Sequence, residues 1–286
     1  MERKKVTVPR LVAKKARGER ITMLTAYDYT GAYLVDAAAI DVILVGDSLG
    51  MVIMGLDTTL PVTMDEMLHH CRAVARGAKY AHLVGDMPFM SYQAEVAEAV
   101  RNAGRFLREG GMDSVKLEGG REVADTVRAI VNAGIPVMGH IGLTPQSVHK
   151  FGGPRAQGKT AAAALRLVAD AQALEAAGCY AIVLEAVPAP VAAAVTERIA
   201  IPTIGIGAGA GCDGQVLVFH DVLGLFDRVH PPFVKQYVNL SETIVAAFSA
   251  YRDDVIDGRF PAEEHTYPMK DDQLAAFREG LERPSS

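Results

Sequence analysis

The stretch Val42-Ile43-Leu44-Val45-Gly46-Asp47-Ser48 is a short apolar run that ends on an acid. Runs of the same kind recur along the chain, nearly all ending on a residue able to bind a metal or move a proton, at 82–86, 114–118, 136–140, 181–185 and 202–206. Continuous apolar runs are typical of parallel strands, because helices cover both faces of such a sheet. The sequence therefore predicts a parallel sheet with functional groups at the carboxyl ends of its strands.

Helical segments separate these runs, and two further apolar runs, at 21–25 and 215–219, bring the predicted strands to eight. One helix is predicted to begin after Thr63, with Glu66 three residues later in the pattern of a capping box. Several helices are predicted to end in glycine just before the next strand, as at Gly178. The alternation predicts the α/β class and a closed (β/α)8 barrel of the TIM type.

An open, doubly wound sheet is the rival architecture. It is disfavoured because no Gly-x-Gly-x-x-Gly sequence follows the first strand, and because polar residues end most strands instead of clustering at one switch point. Residues 1–266 are predicted to form a single barrel domain that includes an N-terminal segment and, from about residue 222, terminal helices. Residues 267–286 are predicted to be a polar C-terminal tail that frays.

The composition is that of a globular protein with a large core, since 50% of the 286 residues are hydrophobic and 22% are charged. The net charge of −5 argues against nucleic acid as a partner. The basic segment that contains Lys4, Lys5, Lys14 and Lys15 is interpreted as a solvated arm or a subunit contact. A nucleic-acid arm is the weaker interpretation, because no aromatic residue interleaves these cations.

The cysteines and the lack of long apolar runs indicate the cellular compartment of the protein. Cys71, Cys179 and Cys212 are too far apart in the sequence for a CxxC pair, and three cysteines form no disulfide framework. No apolar stretch follows the basic N-terminus as it would in a secretory signal, and no run approaches the ~20 residues of a membrane helix. We therefore expect a cytoplasmic protein without a membrane partner.

Three acids end successive predicted strands: Asp47, Asp86 and Glu118. Parallel strands in a barrel end at one rim, so these carboxylates are expected to meet there. Oxygen ligands from separate strands suit Mg²⁺, which keeps positions for water and substrate. The alternative is that each acid caps the following helix.

Four other residues at the same rim can bind or move protons. Glu185 has apolar neighbours, and desolvation makes a carboxylate a stronger base, so it is a candidate general base; the alternatives are a helix cap or a salt bridge. Lys116 precedes Glu118 by two residues and can hold a substrate carboxylate or form a buried ion pair. His140 can donate to an enolate or be a structural histidine. Ser48 can offer its hydroxyl or its backbone N–H to an anion.

Several ordered strings of this chain closely resemble the ketopantoate hydroxymethyltransferase (3-methyl-2-oxobutanoate hydroxymethyltransferase) family. The resemblance spans roughly residues 5–266 and depends on the strings taken together. They are Thr25-Ala26-Tyr27-Asp28-Tyr29, Leu44-Val45-Gly46-Asp47-Ser48-Leu49-Gly50-Met51, Thr59-Leu60-Pro61-Val62-Thr63, Asp86-Met87-Pro88-Phe89-Met90, Val115-Lys116-Leu117-Glu118-Gly119-Gly120, Gly139-His140-Ile141-Gly142-Leu143-Thr144-Pro145-Gln146-Ser147, Phe151-Gly152-Gly153 and Ile204-Gly205-Ile206-Gly207-Ala208-Gly209.

The resemblance implies a (β/α)8 barrel, Mg²⁺ and a homodecamer. It implies transfer of a one-carbon unit from 5,10-methylenetetrahydrofolate to 3-methyl-2-oxobutanoate, which gives 2-dehydropantoate for pantothenate biosynthesis. The implied roles fall in three groups: Asp47, Asp86 and Glu118 surround the metal, Ser48 and Lys116 also hold the keto acid, and Glu185 accepts the proton. A 2-oxo acid bound to Mg²⁺ through its carboxylate and keto oxygens has a more acidic C3–H bond. The resulting enolate, stabilised by Mg²⁺ and by Lys116 or His140, would attack the folate methylene carbon.

Two other functions are considered. One is a Mg²⁺-dependent lyase or mutase acting on 2-oxo or 2-hydroxy acids, as in barrels of the phosphoenolpyruvate and isocitrate-lyase type, which share the enolate chemistry. The cleavage enzymes of that group carry a Lys-Lys-Cys-Gly-His loop that this sequence lacks. The other is a non-catalytic barrel that binds a small acid or a protein, which predicts no Mg²⁺ requirement and no exchange of the C3 proton.

Overall fold

The computed structural model describes residues 3–153, 155–226, 228 and 231–283. Its strands all pair in parallel, each with the next in sequence, and β8 pairs with β1 to close the barrel. The strands are β1 (Ile21–Thr25), β2 (Val42–Val45), β3 (His82–Asp86), β4 (Ser114–Glu118), β5 (Val137–Gly142), β6 (Ala181–Glu185), β7 (Thr203–Ile206) and β8 (Gly214–Leu217). The predicted α/β class and (β/α)8 barrel are confirmed.

The helices alternate with the strands as the hydrophobic pattern predicted. They are α1 (Val8–Ala16), α2 (Tyr29–Ala37), α3 (Leu49–Val52), α4 (Met64–Gly77), α5 (Val96–Arg108), α6 (Ala124–Asn132), α7 (Val148–Phe151), α8 (Ala161–Ala177), α9 (Ala189–Arg198), α10 (Phe219–Leu223), α11 (Leu240–Ile256) and α12 (Asp271–Glu282). The Thr63–Glu66 capping box at the start of α4 forms as predicted. Gly178 ends α8 with φ of 103°, a conformation that favours glycine.

One strand differs from its predicted extent. The apolar run 215–219 was predicted to be extended throughout, but β8 ends at Leu217, and Phe219 begins helix α10. The backbone N–H of Phe219 donates to the hydroxyl of Thr25 at 2.9 Å, which fixes this turn against the end of β1. Neither apolar character nor strand propensity could locate that turn, because both continue across it.

The basic N-terminal segment is not a solvated arm. Its second half forms helix α1, whose Leu11 is buried with the side chains that fill the barrel interior. Lys14 pairs with Asp41 at 2.7 Å and Lys15 pairs with Asp213 at 3.0 Å. These acids lie at the amino ends of β2 and β8, so the lysines hold α1 across the end of the barrel opposite to the predicted site.

The core has two layers, one on each side of the barrel wall. Inside the barrel lie Leu11, Ile21, Met23, Val42, Leu44, Val84, Met138, Tyr180, Ala181, Val183, Ile204 and Val216. Between the strands and the surrounding helices lies a larger cluster that includes the fully buried Val45, Phe106, Leu117 and Leu174. Since both faces of each strand are buried, the strands read as continuous apolar runs.

The chain divides into two compact units, Met1–Val238 and Asn239–Ser286. The barrel and all of the predicted site residues belong to the first unit. The second contains α11 and α12, so the segment 267–286 that was predicted to be a fraying tail includes a helix at Asp271–Glu282; residues 284–286 lie outside the described residues. The described helices include none with both the length and the apolar character needed to span a membrane.

Candidate active site

Charged residues occupy the carboxyl ends of neighbouring strands. Asp47 lies two residues after the end of β2, and Asp86 ends β3. Strand register then sets two pairs side by side, because Lys116 on β4 is aligned with Asp86, and Glu118 at the end of β4 is aligned with His140 on β5. The sequence pattern predicted this convergence from strand ends alone.

Every predicted site residue lines one cavity of about 210 Å³ at this end of the barrel: Asp47, Ser48, Asp86, Lys116, Glu118, His140 and Glu185. Lys116 is 3% exposed and Asp86 is 2% exposed, so the charges are withdrawn from bulk solvent. The other walls are apolar and include Met51, Val183 and Phe233. The cavity therefore combines a charged floor with apolar sides, as suits a small acid that has an aliphatic group.

Ion pairs link the charged residues across β3, β4, β5 and β6. Lys116 Nζ lies 2.7 Å from Asp86 Oδ1. His140 joins two acids, with Nδ1 at 3.4 Å from Glu118 Oε1 and Nε2 at 3.2 Å from Glu185 Oε2. Lys116 Nζ is also 3.3 Å from His140 Nδ1, so the two cations share the space between the acids.

The protonation of these groups follows from their neighbours. Burial and the charge of Lys116 disfavour protonated His140, yet its contacts with Glu118 and Glu185 raise the pKa of His140 to about 9. Burial opposes the charge of Lys116, but the acids around it raise the pKa of Lys116 above its ordinary value. Both residues are therefore cations at neutral pH, and His140 forms an ion pair with each of its acids.

The negative charge exceeds the positive charge. The cavity is lined by five carboxylates (Asp47, Asp86, Glu118, Glu185 and Asp221) and two cations, Lys116 and His140, so negative charges exceed positive ones by three when all seven are ionised. Burial and this excess of negative charge raise the pKa values of Asp47 and Asp86. Burial, together with repulsion from Asp86 and Glu118, raises the pKa of Asp47 well above its ordinary value. Burial also raises the pKa of Asp86, although Lys116 acts against it.

The excess of acids suits a divalent cation. Among the described residues, no three His, Cys, Asp or Glu side chains are arranged as a ready set of metal ligands. Glu118 is already engaged, because Oε1 contacts His140 and Oε2 accepts from the backbone N–H of Gln146 at 3.0 Å. Asp47 and Asp86 are also engaged, Asp47 Oδ2 by Gln146 at 2.9 Å and Asp86 Oδ1 by Lys116 at 2.7 Å, but a carboxylate oxygen has a second lone pair for a metal. One or two carboxylates suffice for Mg²⁺ when water and substrate complete the shell. The residues present therefore fit Mg²⁺.

Sequence reasoning gave no role to Gln146, which ties this acidic group together. Its Nε2 donates to Asp47 Oδ2 and to the Met87 carbonyl, both at 2.9 Å. Its Oε1 accepts from the Tyr92 hydroxyl at 2.8 Å, which fixes the orientation of the amide. A neutral amide carries no charge pattern that could have marked it, and its place in the Thr144-Pro145-Gln146-Ser147 string was the single available signal.

Two hydroxyl groups were also missed. Tyr27 OH lies 2.8 Å from Ser48 Oγ and orients it from the end of β1. Thr59 lines the cavity with its Oγ1 buried and without a hydrogen-bond partner among the described residues. Both residues belong to strings that carry the family resemblance, but a hydroxyl in an apolar context is usually structural and does not by itself indicate a site.

Comparisons with known proteins show which family the chain belongs to. The family model described as ketopantoate hydroxymethyltransferase matches residues 5–263. The 3-methyl-2-oxobutanoate hydroxymethyltransferase of Moorella thermoacetica is 60% identical over 93% of this chain and 99% of its own. The protein of the same name from Syntrophus aciditrophicus is 57% identical over 92% of this chain and 97% of its own.

Solved structures share the fold at low sequence identity. A phosphonopyruvate hydrolase superposes with a TM-score of 0.60 at 13% identity, covering 96% of each chain. A phosphoenolpyruvate phosphomutase from Streptomyces platensis subsp. rosaceus superposes with a TM-score of 0.59 at 18% identity, covering 97% of this chain and 99% of its own. At this identity the likeness extends to the barrel alone, whereas the sequence match covers nearly the whole chain. The chain belongs to the ketopantoate hydroxymethyltransferase family.

Proposed function

We propose that this protein transfers a hydroxymethyl group from 5,10-methylenetetrahydrofolate to 3-methyl-2-oxobutanoate and so forms 2-dehydropantoate for pantothenate biosynthesis. One observation carries the proposal: a cavity of about 210 Å³ is lined by apolar side chains together with five acids and two cations. A short branched 2-oxo acid matches both parts, since its isopropyl group is apolar and its carboxylate and keto oxygens are polar.

Asp47 and Asp86 would hold Mg²⁺, with Glu118 in the surrounding shell. When bound, this ion would supply Lewis-acid chemistry that acidifies the C–H bond next to the keto group of the substrate. The Lys116 ammonium, fixed by Asp86 at 2.7 Å, supplies positive charge for the substrate carboxylate. The Ser48 hydroxyl, oriented by Tyr27, supplies a hydrogen bond to the same group.

Glu185 removes the proton from C3 of the keto acid. His140 Nε2 contacts Glu185 Oε2 at 3.2 Å and orients the carboxylate at the edge of the cavity. With its pKa raised to about 9, His140 stays protonated and offsets negative charge that develops on the substrate. The folate C–N10 bond breaks as its ring opens, and the new bond forms between C3 and the methylene carbon.

Release of the product completes the balance of atoms. The remaining C–N5 bond breaks, and water supplies the hydroxyl group of the product. The proton taken from C3 and one proton from water end on the two folate nitrogens, so tetrahydrofolate leaves without any oxidation or reduction.

The function is tested by incubating the protein with both substrates and Mg²⁺ and measuring 2-dehydropantoate by mass spectrometry. Product that depends on each component supports the proposal. The same preparation is assayed with isocitrate-like 2-hydroxy acids, because a lyase or mutase of the phosphoenolpyruvate and isocitrate-lyase type is the alternative. Cleavage of those acids without folate-dependent product would replace the proposed function with the alternative.

Two further properties are proposed from the family resemblance. We propose a homodecamer that acts in the cytoplasm. Light scattering is expected to give ten times the 30.5 kDa mass of the chain. A monomer or dimer at micromolar concentration would contradict the assembly.

A further inference from the structure

Gln146 lies at the centre of a buried hydrogen-bond group to which the proposed chemistry assigns no part. It is 5% exposed and belongs to the single helical turn Pro145–Ser147 after β5. Its neighbour Pro145 lines the cavity of the proposed site, which we call the keto-acid cavity, whereas Gln146 itself does not line it. Any effect of the Gln146 side chain on that cavity therefore passes through a residue that does line it.

The side-chain amide of Gln146 makes four hydrogen bonds. Its Nε2 donates to Asp47 Oδ2 and to the carbonyl of Met87, both at 2.9 Å. Its Oε1 accepts from the Tyr92 hydroxyl at 2.8 Å and from Gln93 Nε2 at 3.1 Å. A carboxamide has two N–H donors and an oxygen with two lone pairs, so these bonds use its whole capacity.

The carbonyl of Met87 fixes which way round the amide lies. A backbone carbonyl can only accept a hydrogen bond, so the nitrogen of the amide must face it. The same nitrogen therefore faces Asp47, and Gln146 presents a donor to this carboxylate. Tyr92 supports the arrangement from the other side, because its hydroxyl lies closer to Gln146 Oε1, at 2.8 Å, than to the carbonyl of Glu118, at 3.1 Å.

The anchor points of the amide are themselves held by the barrel. Met87 directly follows β3 and is fully buried, and its backbone N–H donates to the carbonyl of Lys116 at 2.8 Å. The backbone N–H of Gln146 donates to Glu118 Oε2 at 3.0 Å, at the end of β4. The amide is thus fixed by β3, β4 and their loops, and it reaches Asp47 from a position that Asp47 does not determine.

Asp47 depends on this donor more than Asp86 does. Asp86 Oδ1 has the Lys116 ammonium at 2.7 Å, and Asp86 Oδ2 accepts from the backbone N–H of Asp47 at 3.2 Å. Within the part of the chain that the structure describes, the Asp47 side chain accepts a hydrogen bond from Gln146 alone and forms no ion pair. Asp86 and Glu118 repel the Asp47 carboxylate. Without Gln146, that repulsion would turn the carboxylate away from the other acids.

We propose that Gln146 is a positioning residue for divalent-cation binding, because it holds the Asp47 carboxylate in one orientation within the keto-acid cavity. This inference rests on the proposed function, in which Asp47 and Asp86 would hold Mg²⁺. One N–H donor occupies one lone pair of one carboxylate oxygen, so Asp47 keeps acceptor positions for a cation. Substitution of groups that orient metal-binding side chains in this way typically lowers metal affinity by about 10–100-fold.

The probe is Mn²⁺, which shares hard-oxygen ligands with Mg²⁺ and whose free concentration is read by electron paramagnetic resonance. The full chain is titrated with and without 3-methyl-2-oxobutanoate. Gln146→Met keeps the length of the side chain and removes both N–H donors, so the Kd for Mn²⁺ is expected to rise at least about tenfold. Unchanged affinity would overturn the inference, as would a parent protein that binds no Mn²⁺ in either sample.

Thr203→Val is the matched control for loss of a buried hydrogen bond. Thr203 is fully buried at the start of β7, and its hydroxyl lies 2.7 Å from Thr196 Oγ1, remote from the acids of the site. The control is expected to lower the melting temperature and to keep the parental affinity for Mn²⁺. A loss of affinity as large as that of Gln146→Met would show that general destabilisation explains both, contradicting the inference.

A second background decides whether Gln146 acts through Asp47. In Asp47→Asn, where the carboxylate is gone, adding Gln146→Met is expected to change the remaining Mn²⁺ affinity by less than about twofold. A further tenfold loss would show that Gln146 acts through some other group. Tyr92→Phe removes one hydrogen bond to the amide while Gln146 is kept, so it tests the same link should Gln146→Met fail to fold. Severalfold weaker Mn²⁺ binding is expected, and unchanged binding would overturn the inference.

The activity assay separates positioning from a loss of the reaction itself. In Gln146→Met, the Mg²⁺ concentration for half-maximal rate is expected to rise at least about tenfold, while kcat at saturating Mg²⁺ stays within about threefold of the parent. The reason is that the backbone N–H that holds Glu118 remains, and Glu185 is not contacted by Gln146. A fall in kcat that excess Mg²⁺ does not restore would contradict the inference.

Failure of this inference and failure of the proposed function give different results. A parent that makes 2-dehydropantoate while Gln146→Met keeps the parental affinity for Mn²⁺ would refute the role of Gln146 alone. A parent whose Mn²⁺ affinity depends on Gln146 but which makes no 2-dehydropantoate would refute the proposed reaction alone.

Discussion

The two ends of the barrel each bury a histidine, and the two histidines titrate in opposite directions. His82, at the amino end, is 2% exposed, and burial lowers its pKa to about 4. His140, at the carboxyl end, is 3% exposed, and its acids raise its pKa to about 9 despite burial. His82 contacts the Ser114 hydroxyl at 2.9 Å, whereas His140 contacts Glu118 and Glu185. Burial alone therefore does not decide the charge of a histidine, because its neighbours do.

The same contrast holds for the other charges. At the amino end the lysines meet acids one to one, as in Lys5–Asp113 at 2.7 Å and Lys14–Asp41 at 2.7 Å. At the carboxyl end five acids and two cations line one cavity. Matched pairs compensate each other's charge, whereas a buried excess of one sign is maintained against the stability of the protein. We infer that the amino end closes the barrel and the carboxyl end carries the chemistry.

The largest effect is expected from Glu185→Gln, which removes the proposed base and keeps the shape of the side chain. Loss of a general base lowers kcat by roughly 10²–10⁴-fold. The kcat is measured from steady-state formation of 2-dehydropantoate, and the melting temperature of each protein is recorded to check that it is folded. Glu197→Gln on the exposed face of α9 is the matched control. A variant that keeps more than a tenth of the parental kcat would remove Glu185 from this role.

Lys116→Met tests how much the buried ion pair at the carboxyl end contributes to stability. The variant leaves Asp86 without its buried cation, and losing one partner of a buried pair costs about 3–5 kcal/mol. Urea unfolding without added metal measures the loss, and Lys79→Met at an exposed position is expected to stay within about 0.5 kcal/mol of the parent. Equal stability of the two variants would contradict the ion-pair account.

His82→Gln tests the amino end through pH. The folded-state pKa of His82 is depressed, so its contribution is fully present above an unfolded pKa of about 6.5 and is lost as pH falls toward 4. The parent is expected to lose on the order of 2–3 kcal/mol more than the variant between these two pH values. Parallel stability curves for the two proteins would show that His82 is not kept neutral by the fold.

Asp47→Asn is expected to have the smallest effect on stability, and it is expected to raise stability. The pKa of Asp47 is raised by burial and by its acidic neighbours, so its ionised form destabilises the fold as pH rises above the unfolded pKa. Removing the charge is expected to stabilise the metal-free protein by about 1 kcal/mol, or roughly 2–4 °C in Tm, while Mg²⁺ binding weakens. At the amino end, Asp41→Asn is expected to lower the Tm, because it breaks the ion pair with Lys14. A lower Tm for both variants would contradict the predicted difference in charge balance between the two ends of the barrel.

The sequence predicted the barrel because the strands are buried on both faces and end on acids that stand out against apolar runs. The same feature marked Asp47, Asp86, Glu118 and Glu185 as candidate site residues. It could not predict that α1 covers the barrel, since Lys14 and Lys15 find their acids on distant parts of the chain, at Asp41 and Asp213. Nor could it assign Gln146, whose importance lies in the hydrogen bonds that its side-chain amide and its backbone N–H make to groups on other strands and loops.

The central claim is that the excess of acids at the carboxyl end serves a metal-dependent proton abstraction. The most direct measurement is proton NMR of 3-methyl-2-oxobutanoate in D₂O with the protein, with Mg²⁺ or with EDTA, in samples with and without tetrahydrofolate. We predict loss of the C3 proton signal when protein and Mg²⁺ are both present, and retention of it when either is missing. Exchange at an equal rate in EDTA, or a C3 signal that persists with protein, Mg²⁺ and tetrahydrofolate together, would contradict the account.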